Sequence, residues 1–393
     1  MSQTREAVIV DYLRSPFSRS RPRDPERDVF NNLRMDEVLA TLIKESIKRT
    51  KIKPEEINDV LTGCALGYGE NHTLGGRTIG LLAKLPYNVP CQGTDRQCGS
   101  SMSTIHQGAM EIILGYSDIV IAGGMEHMTH NPMGGTSEGA RKSPPALIES
   151  GEMVTMGQTA EKLLSQTTFT REDMDKWALK SHQKAAKALK EGFFKGEIVP
   201  IEVTLADGTK KVIDHDVSIR PDTTLEGLAS LKPAFTPDGQ ITAGNSSPLN
   251  AAATAMMLMS KEKAKEYGLN PLATIVSMGW AGVDPTVMGL GPIPASKMAL
   301  KHAGLEAKDI DFWEINEAFC IVALNTIKEL SIAPERVNVK GGATAIGHPL
   351  GATGTRLVGT LARILNMEDG TYGLANACIG GGQGVATILK REN

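Results

Sequence analysis

Three residues in glycine-rich turns carry side chains suited to thiol chemistry: Cys98, His348 and Cys378. Cys98 stands in Arg96-Gln97-Cys98-Gly99-Ser100-Ser101-Met102, just ahead of a stretch that reads as a helix. Backbone N–H groups and the positive end of a helix dipole at such a place favour the thiolate. His348 lies between Gly347 and Pro349. Proline restrains the residue before it to extended backbone, which holds the ring as a general base must be held. The plainer reading is a turn histidine bonded to the backbone. Cys378 opens Cys378-Ile379-Gly380-Gly381-Gly382-Gln383-Gly384, a run whose N–H groups suit an anion cradle. Here the plainer reading is a turn between strands. Asn316-Glu317-Ala318-Phe319 follows a strand-like run, where Asn316 either orients a water or carbonyl or simply caps a helix. Cys64, Cys91 and Cys320 read as small core residues, with Cys320 at most lining a pocket. His127 and His130 have His-x-x-His spacing but no further ligand set, so no metal site is expected.

The elements that must position these residues alternate between short apolar strands and longer amphipathic helices, the α/β pattern. Strands are expected at 8–12, 60–66, 118–122, 273–280, 312–315, 372–375 and 384–389. Helices are expected at 35–49, 99–115, 296–303, 318–330 and 351–365. The segment from Lys51 to Val60 links a helix to a strand, and Gly304 to Phe312 does the same; Ile310 falls 253 positions after Ile57. This weak internal repeat suggests two similar halves. The middle, 123–242, is different. It has loops rich in Gly, Met and Pro, a charged helix at 171–191 and a hairpin at 203–212 turning at Asp207-Gly208. Insertions on a rigid α/β body commonly carry substrate-binding loops.

Composition narrows the classes. A net charge of −3 and 4% aromatic residues leave no footprint for nucleic acid or for a charged membrane surface. Five cysteines without a Cys-x-x-Cys argue against disulfides and structural zinc. The charged start, Met1 to Glu6, leads into the strand-like Ala7-Val8-Ile9-Val10 rather than a signal-peptide core, and no apolar run suits a membrane span. Cytoplasm is the expected compartment. No Gly-x-Gly-x-x-Gly follows the first strand and no phosphate-binding Walker motif appears, so nicotinamide and nucleoside triphosphate chemistry lack support.

Taken together, five blocks resemble the thiolases over nearly the whole chain. They are Cys98-Gly99-Ser100-Ser101-Met102, Thr242-Ala243-Gly244-Asn245-Ser246-Ser247, Asn316-Glu317-Ala318-Phe319, Gly341 through Gly351, and Cys378 through Gly384. Glu126-His127-Met128-Thr129-His130-Asn131-Pro132-Met133 is most similar to the degradative 3-ketoacyl-CoA thiolases. The resemblance implies two similar α-β-α-β-α layered halves with an inserted loop domain: 1–122 plus 243–270, then 123–242, then 271–393. It also implies that Cys98 attacks the keto carbon of a 3-ketoacyl-CoA while His348 takes its proton. Cys378 protonates the leaving acetyl-CoA enolate and then deprotonates the incoming CoA. A water on Asn316, together with His348, faces the enolate oxygen. The N–H groups of Cys98 and Gly380 face the tetrahedral oxyanion. Arg220 and Ser247 match residues that contact CoA, and Met156, Phe235, Ala243, Met288, Ala318 and Phe319 match apolar pocket positions.

CoA is implied as co-substrate with no permanently bound cofactor. A homodimer or homotetramer is implied, and a partner subunit with hydratase and dehydrogenase activity is left open. Two rival functions stand beside thiolysis: a biosynthetic acetyl-CoA acetyltransferase and a non-catalytic acyl-CoA-binding subunit. The chain departs from the family at Ala251-Ala252, where Asp-Gly is usual, which puts a helix start there in doubt, and at Thr344, where an apolar residue is usual.

Overall fold

A computed structural model describes residues 5–72, 74–135 and 143–392. Eleven strands are described: β1 Ala7–Arg14, β2 Asp59–Gly63, β3 Cys91–Thr94, β4 Ile119–His127, β5 Ile201–Thr204, β6 Lys210–Ile213, β7 Ala251–Ser260, β8 Ala273–Gly282, β9 Phe312–Ile315, β10 Tyr372–Ile379 and β11 Gln383–Arg391. Nine of them form one sheet in the order β3-β2-β4-β7-β1-β8-β11-β10-β9. The sheet is two copies of one design. β2 runs parallel to β4, which pairs antiparallel with β7, which pairs antiparallel with β1. In the same way β9 runs parallel to β10, which pairs antiparallel with β11, which pairs antiparallel with β8. The copies join where Val8 and Ile9 of β1 meet Thr274 and Ala273 of β8.

The repeat extends to helices and turns. β2 and β9 begin 253 positions apart (312 less 59), and so do the helices Ser100–Ile113 and Thr353–Met367. These two helices share one core with both halves of the sheet. Met102, Ile105, Leu357 and Leu361 pack there with Ile9, Val120, Ala377 and Val385. The helix Met35–Thr50 covers the outer face of the first half, and Pro292–Ala303 with Cys320–Glu329 cover the outer face of the second. Over the whole molecule the order is helix, half-sheet, helix, half-sheet, helix; the resemblance implied this layering for each half, and the two halves instead share the central helix layer.

Residues 251–260 differ from expectation: they are the fully buried strand β7, not a helix start. Ala, Met and Leu favour helix, but a strand covered on both faces needs no alternation of polar residues. Tertiary packing therefore overrides propensity here. β4 runs on to His127, past the expected end at 122, and β3 is a short edge strand without apolar character. In the intervening segment the helix Arg171–Lys190 starts with a Thr170/Asp173 capping box, and β5 and β6 form the expected hairpin. Among the described residues no helix is long and apolar enough to cross a membrane, and no group of three or more His, Cys, Asp or Glu could hold a metal ion.

Candidate active site

Cys98 occupies a single 3-10 turn, Gln97–Gly99, that feeds directly into the helix Ser100–Ile113. The turn is tight: Gln97 adopts φ +46°, and Ser100 Oγ accepts from Arg96 N at 3.0 Å and donates to Gln97 O at 2.6 Å. A Cβ on Gly99 would sit 2.5 Å from Ile379 Cδ1, so glycine lets this turn press against β10. That contact brings Cys98 beside Cys378, near the end of β10. The β10–β11 turn then aims Gly380 N–H at the Cys98 sulfur.

The electrostatics correct the expectation of a resting thiolate. Burial pushes the Cys98 thiol up to about 11, and Glu126 and Asp95 add to the rise. Hydrogen bonds from Gly380 N–H and from its own N–H oppose it but do not win. Cys378 is pushed up further, by burial first and by Cys98 second. Both are thiols at neutral pH, and nucleophilic attack needs a base.

His348 fits that need. Burial, aided by Arg356, drops its pKa to about 3, so the ring is neutral. Thr353 donates its hydroxyl to Pro349 O at 2.8 Å, so it accepts from His348 Nδ1–H at 2.7 Å. This network assigns the proton to Nδ1 and leaves Nε2 bare, facing Asn316 Nδ2 at 3.4 Å. Asn250 Oδ1 accepts from His348 N at 2.7 Å. Gly347, at φ +127°, leaves room for the Asn250 amide, which would lie 2.6 Å from an added Cβ.

Asn316 extends β9 by bonding its N–H to Asn376 O. It is not a helix cap, because the helix starts at Cys320 behind Phe319. Its Oδ1 is buried without a protein partner. Glu317 is no first-turn residue either. It is a buried hub that accepts from Trp177 Nε1, Ser181 Oγ, Asn338 Nδ2 and Thr344 N, tying the inserted helix to the loop before His348. Thr344 meets Cys320 Sγ at 3.5 Å, and Cys320 is core rather than pocket lining. His127 and His130 stack at 3.6 Å, with His130 on Glu70 and Asn31 O, which is a structural arrangement.

A cavity of about 410 Å³ gathers Cys98, His348, Cys378, Ser247, Ala243, Met156, Phe235, Met288, Ala318 and Phe319 into one lining. Ser247 N–H bonds Ala318 O, Phe235 stands edge-on to Phe319 at 5.8 Å, and Met156 lies over Gly380. Arg220 lies instead in an adjoining cavity. Several residues escaped the sequence reading. Arg19, Ser20 and Arg21 line the catalytic cavity, as do Met128, Leu249 and Leu350. Glu126 is fully buried, and its carboxylate accepts from Ala65 N, Leu66 N and Gly351 N. It thereby links the two halves just beyond His348. The sequence signals present were the Ser18-Arg19-Ser20-Arg21 run, in which arginine alternates with serine, and the Glu126–Met133 block, which marks a resemblance without giving Glu126 or Met128 a role.

Comparison with known proteins agrees with this geometry. Residues 7–262 match the thiolase N-terminal domain family and residues 269–391 the thiolase C-terminal domain family. The chain is 44% identical over 393 residues to a 3-ketoacyl-CoA thiolase of Marinobacter nauticus, covering 98% of each chain. It is 43% identical over 396 residues to a 3-ketoacyl-CoA thiolase of Saccharophagus degradans, covering 99% of each. The crystal structure of the Bacillus anthracis acetyl-CoA acetyltransferase superposes with a TM-score of 0.90 at 37% identity, covering 100% of both chains. With both domain families matched in order and relatives aligned end to end, the chain belongs to the thiolase family.

Proposed function

We propose that this protein cleaves 3-ketoacyl-CoA with a second CoA to give acetyl-CoA and a shortened acyl-CoA, as in fatty-acid β-oxidation. The observation that carries the reading is the meeting of Cys98, His348 and Cys378 in one cavity, with Gly380 N–H on the Cys98 sulfur. In this reading Cys98 passes its proton to the bare Nε2 of His348 and attacks the keto carbon. The bond between C2 and C3 breaks, and the electron pair leaves as the acetyl-CoA enolate. Cys378 S–H protonates the enolate carbon and becomes a thiolate. The incoming CoA thiol returns a proton to Cys378 and attacks the thioester, and Cys98 leaves with the proton from His348. Splitting the transfer through a thioester is covalent catalysis.

The N–H groups of Cys98 and Gly380 serve as the oxyanion donors, worth about 3–4 kcal/mol of barrier each. Asn316 holds a water toward the enolate oxygen through its unpartnered Oδ1. The apolar walls from Met156, Phe235, Met288, Ala318 and Phe319 strengthen these few dipoles by excluding water. Ser247 and Ala243 contact the pantetheine arm, and Arg220 the nucleotide end.

Relatives named 3-ketoacyl-CoA thiolase at 42–44% identity favour the degradative direction. The likeness to an acetyl-CoA acetyltransferase supports the rival, condensing direction. Thiolysis rates across a series of 3-ketoacyl-CoA lengths decide between them: cleavage confined to acetoacetyl-CoA defeats the degradative reading. Acylation of Cys98 is the second check. Intact-mass measurement finds one acyl group on the wild type and none on Cys98→Ala; an acylated variant refutes the nucleophile.

The division into 1–122 with 243–270, 123–242 and 271–393 is our working organisation, and limited proteolysis within 123–242 tests it. We also assign the protein to the cytoplasm, where a reducing environment keeps Cys98 and Cys378 as thiols; cell fractionation checks this. A homodimer or homotetramer is proposed because β3 ends the sheet with Gln92 and Gly93 exposed, and light scattering measures the state.

A further inference from the structure

The catalytic cavity is walled mostly by apolar side chains, and its described lining includes no Asp or Glu. Two arginines nevertheless reach it. Arg19 is shared with the adjoining chamber that holds Arg220, whereas Arg21 lines the catalytic cavity alone. Arg21 is half-buried, and its Nε is fully buried without a hydrogen-bond partner. Its guanidinium has no ion pair or hydrogen bond among the described residues. Asp28, the carboxylate tied to the neighbouring Ser20, is already engaged. It accepts from Ser20 Oγ at 3.3 Å, Thr129 Oγ1 at 2.5 Å and Phe30 N at 3.0 Å.

The backbone fixes where Arg21 stands. Ser20 N donates to Leu249 O at 2.8 Å, and Arg21 N donates to Thr129 Oγ1 at 2.8 Å. Arg21 is thereby held beside Met128 and Leu249, which belong with Leu350 and Cys98 to one apolar cluster. In the proposed reaction the CoA arm leaves Cys98 past Ser247 and Ala243 towards Arg220. The wall of Met128, Leu249 and Leu350 is then left for the acyl chain, with Arg21 at its end. A cation held partly out of water without a partner is costly unless a ligand supplies the opposite charge. A carboxylate does so through two parallel N–H···O bonds, and methylenes ahead of it fit the apolar wall.

We propose that Arg21 is a specificity-determining residue that receives the terminal carboxylate of the acyl chain, so that the preferred substrates are 3-keto CoA thioesters of dicarboxylic acids. The proposal rests on the thiolase reading and names the substrate class within it. Thiolysis then yields acetyl-CoA and the CoA thioester of a shorter dicarboxylic acid, with the same bonds made and broken as before. A methyl-ended chain leaves the Arg21 guanidinium unpaired and is the poorer substrate.

The test compares 3-ketoadipyl-CoA and 3-ketosuberyl-CoA with 3-ketohexanoyl-CoA and 3-ketooctanoyl-CoA, which match them in carbon number but end in methyl. Wild-type kcat/KM should favour the acid-ended member of at least one pair by about 10- to 100-fold, the worth of hydrogen bonds to a charged group. Arg21→Gln should lower kcat/KM for that acid by a similar factor, and the loss for its methyl-ended counterpart should be about tenfold smaller or more. Arg21→Lys, which keeps the charge, should recover part of the preference. A wild type without preference for the acid in either pair overturns the proposal, as do equal losses on the two members in Arg21→Gln. A rise in the KM for CoA that accounts for the whole loss also overturns it, because the anion at Arg21 is then a phosphate of CoA. A wild type that cleaves none of the four thioesters defeats the thiolase reading itself, and the proposal with it, an outcome distinct from the others.

Discussion

At Cys98, burial and hydrogen bonding oppose each other, and burial wins. A helix start alone would suggest a thiolate, but the 3-10 turn keeps the sulfur one step outside the helix and in an apolar cavity. A thiol whose pKa is raised to about 11 stays protonated through the neutral range and deprotonates only as pH rises towards that value. Alkylation of Cys98 by iodoacetamide should therefore accelerate about tenfold per pH unit from pH 7 to 9 without levelling off; a plateau near pH 7 would mean a resting thiolate. His348, with its pKa lowered to about 3, remains a neutral acceptor over the same range. Cys378 lies further from ionisation than Cys98, as suits a group that first gives a proton and then takes one. Cys378→Ala should still form the acyl-enzyme at Cys98, slowly, while turnover falls by about 100-fold or more, within the reach of general acid–base catalysis. Turnover at the wild-type rate removes Cys378 from proton transfer.

The elements explain which parts were legible in the sequence. Turns announce themselves because glycine and proline do local work that few other residues can do. The Cys98, His348 and Cys378 turns were therefore visible, and so were the strands and helices around them. β7 was not, since an Ala- and Met-rich run becomes a strand only through burial on both faces. The buried carboxylates were equally hidden, because a glutamate's role depends on which remote N–H groups fold onto it. Glu126 is the sharpest case: it joins the turn after Cys64 to Gly351, next to the His348 turn. Burial raises its pKa to about 7 against the pull of those three N–H groups. The folded chain thus holds this proton more tightly than the unfolded chain between pH 4.5 and 7. The contribution to stability from this group falls as pH rises through that window. Glu126→Gln offers one amide oxygen and sets an NH₂ against an N–H donor. It should cost about 1.5–3 kcal/mol of stability, flatten the pH slope between 4.5 and 7, and lower kcat about tenfold with KM for CoA little changed. Thermal melts across pH and steady-state rates measure all three. An unchanged kcat would confine Glu126 to the fold and detach it from the placement of His348.

At the scale of the whole molecule, the internal repeat places the chemistry. The 3-10 turns Gln97–Gly99 and Leu350–Ala352 occupy equivalent places, each leading into one of the two central helices. One copy carries Cys98 within the turn, and the other carries His348 just before it. The distance between nucleophile and base is therefore set by how closely the two helices approach, and a single glycine sets that approach. A Cβ on Gly354 would lie 2.2 Å from Met102 N and 2.8 Å from Met102 Cα. Those are backbone atoms in a packed interior, and no side-chain rotation relieves the overlap. Gly354→Ala must push the helices apart and carry the Cys98 and His348 turns with them. Overpacking of this kind costs about 1–3 kcal/mol. The catalytic loss should exceed what reduced stability explains, since misplacing reacting groups by about 1 Å costs on the order of 100-fold. The expected outcome is a lower melting temperature, a kcat reduced by 10-fold or more at temperatures where the variant is fully folded, and a KM for CoA close to that of the wild type. Arg220 lies in the chamber beyond Ala243 and Pro248 and not in the catalytic cavity, which is why binding and chemistry should separate. A variant that loses affinity for CoA in step with kcat would show that the two halves move as one body with the binding chamber, and that the helix contact does not set the catalytic distance.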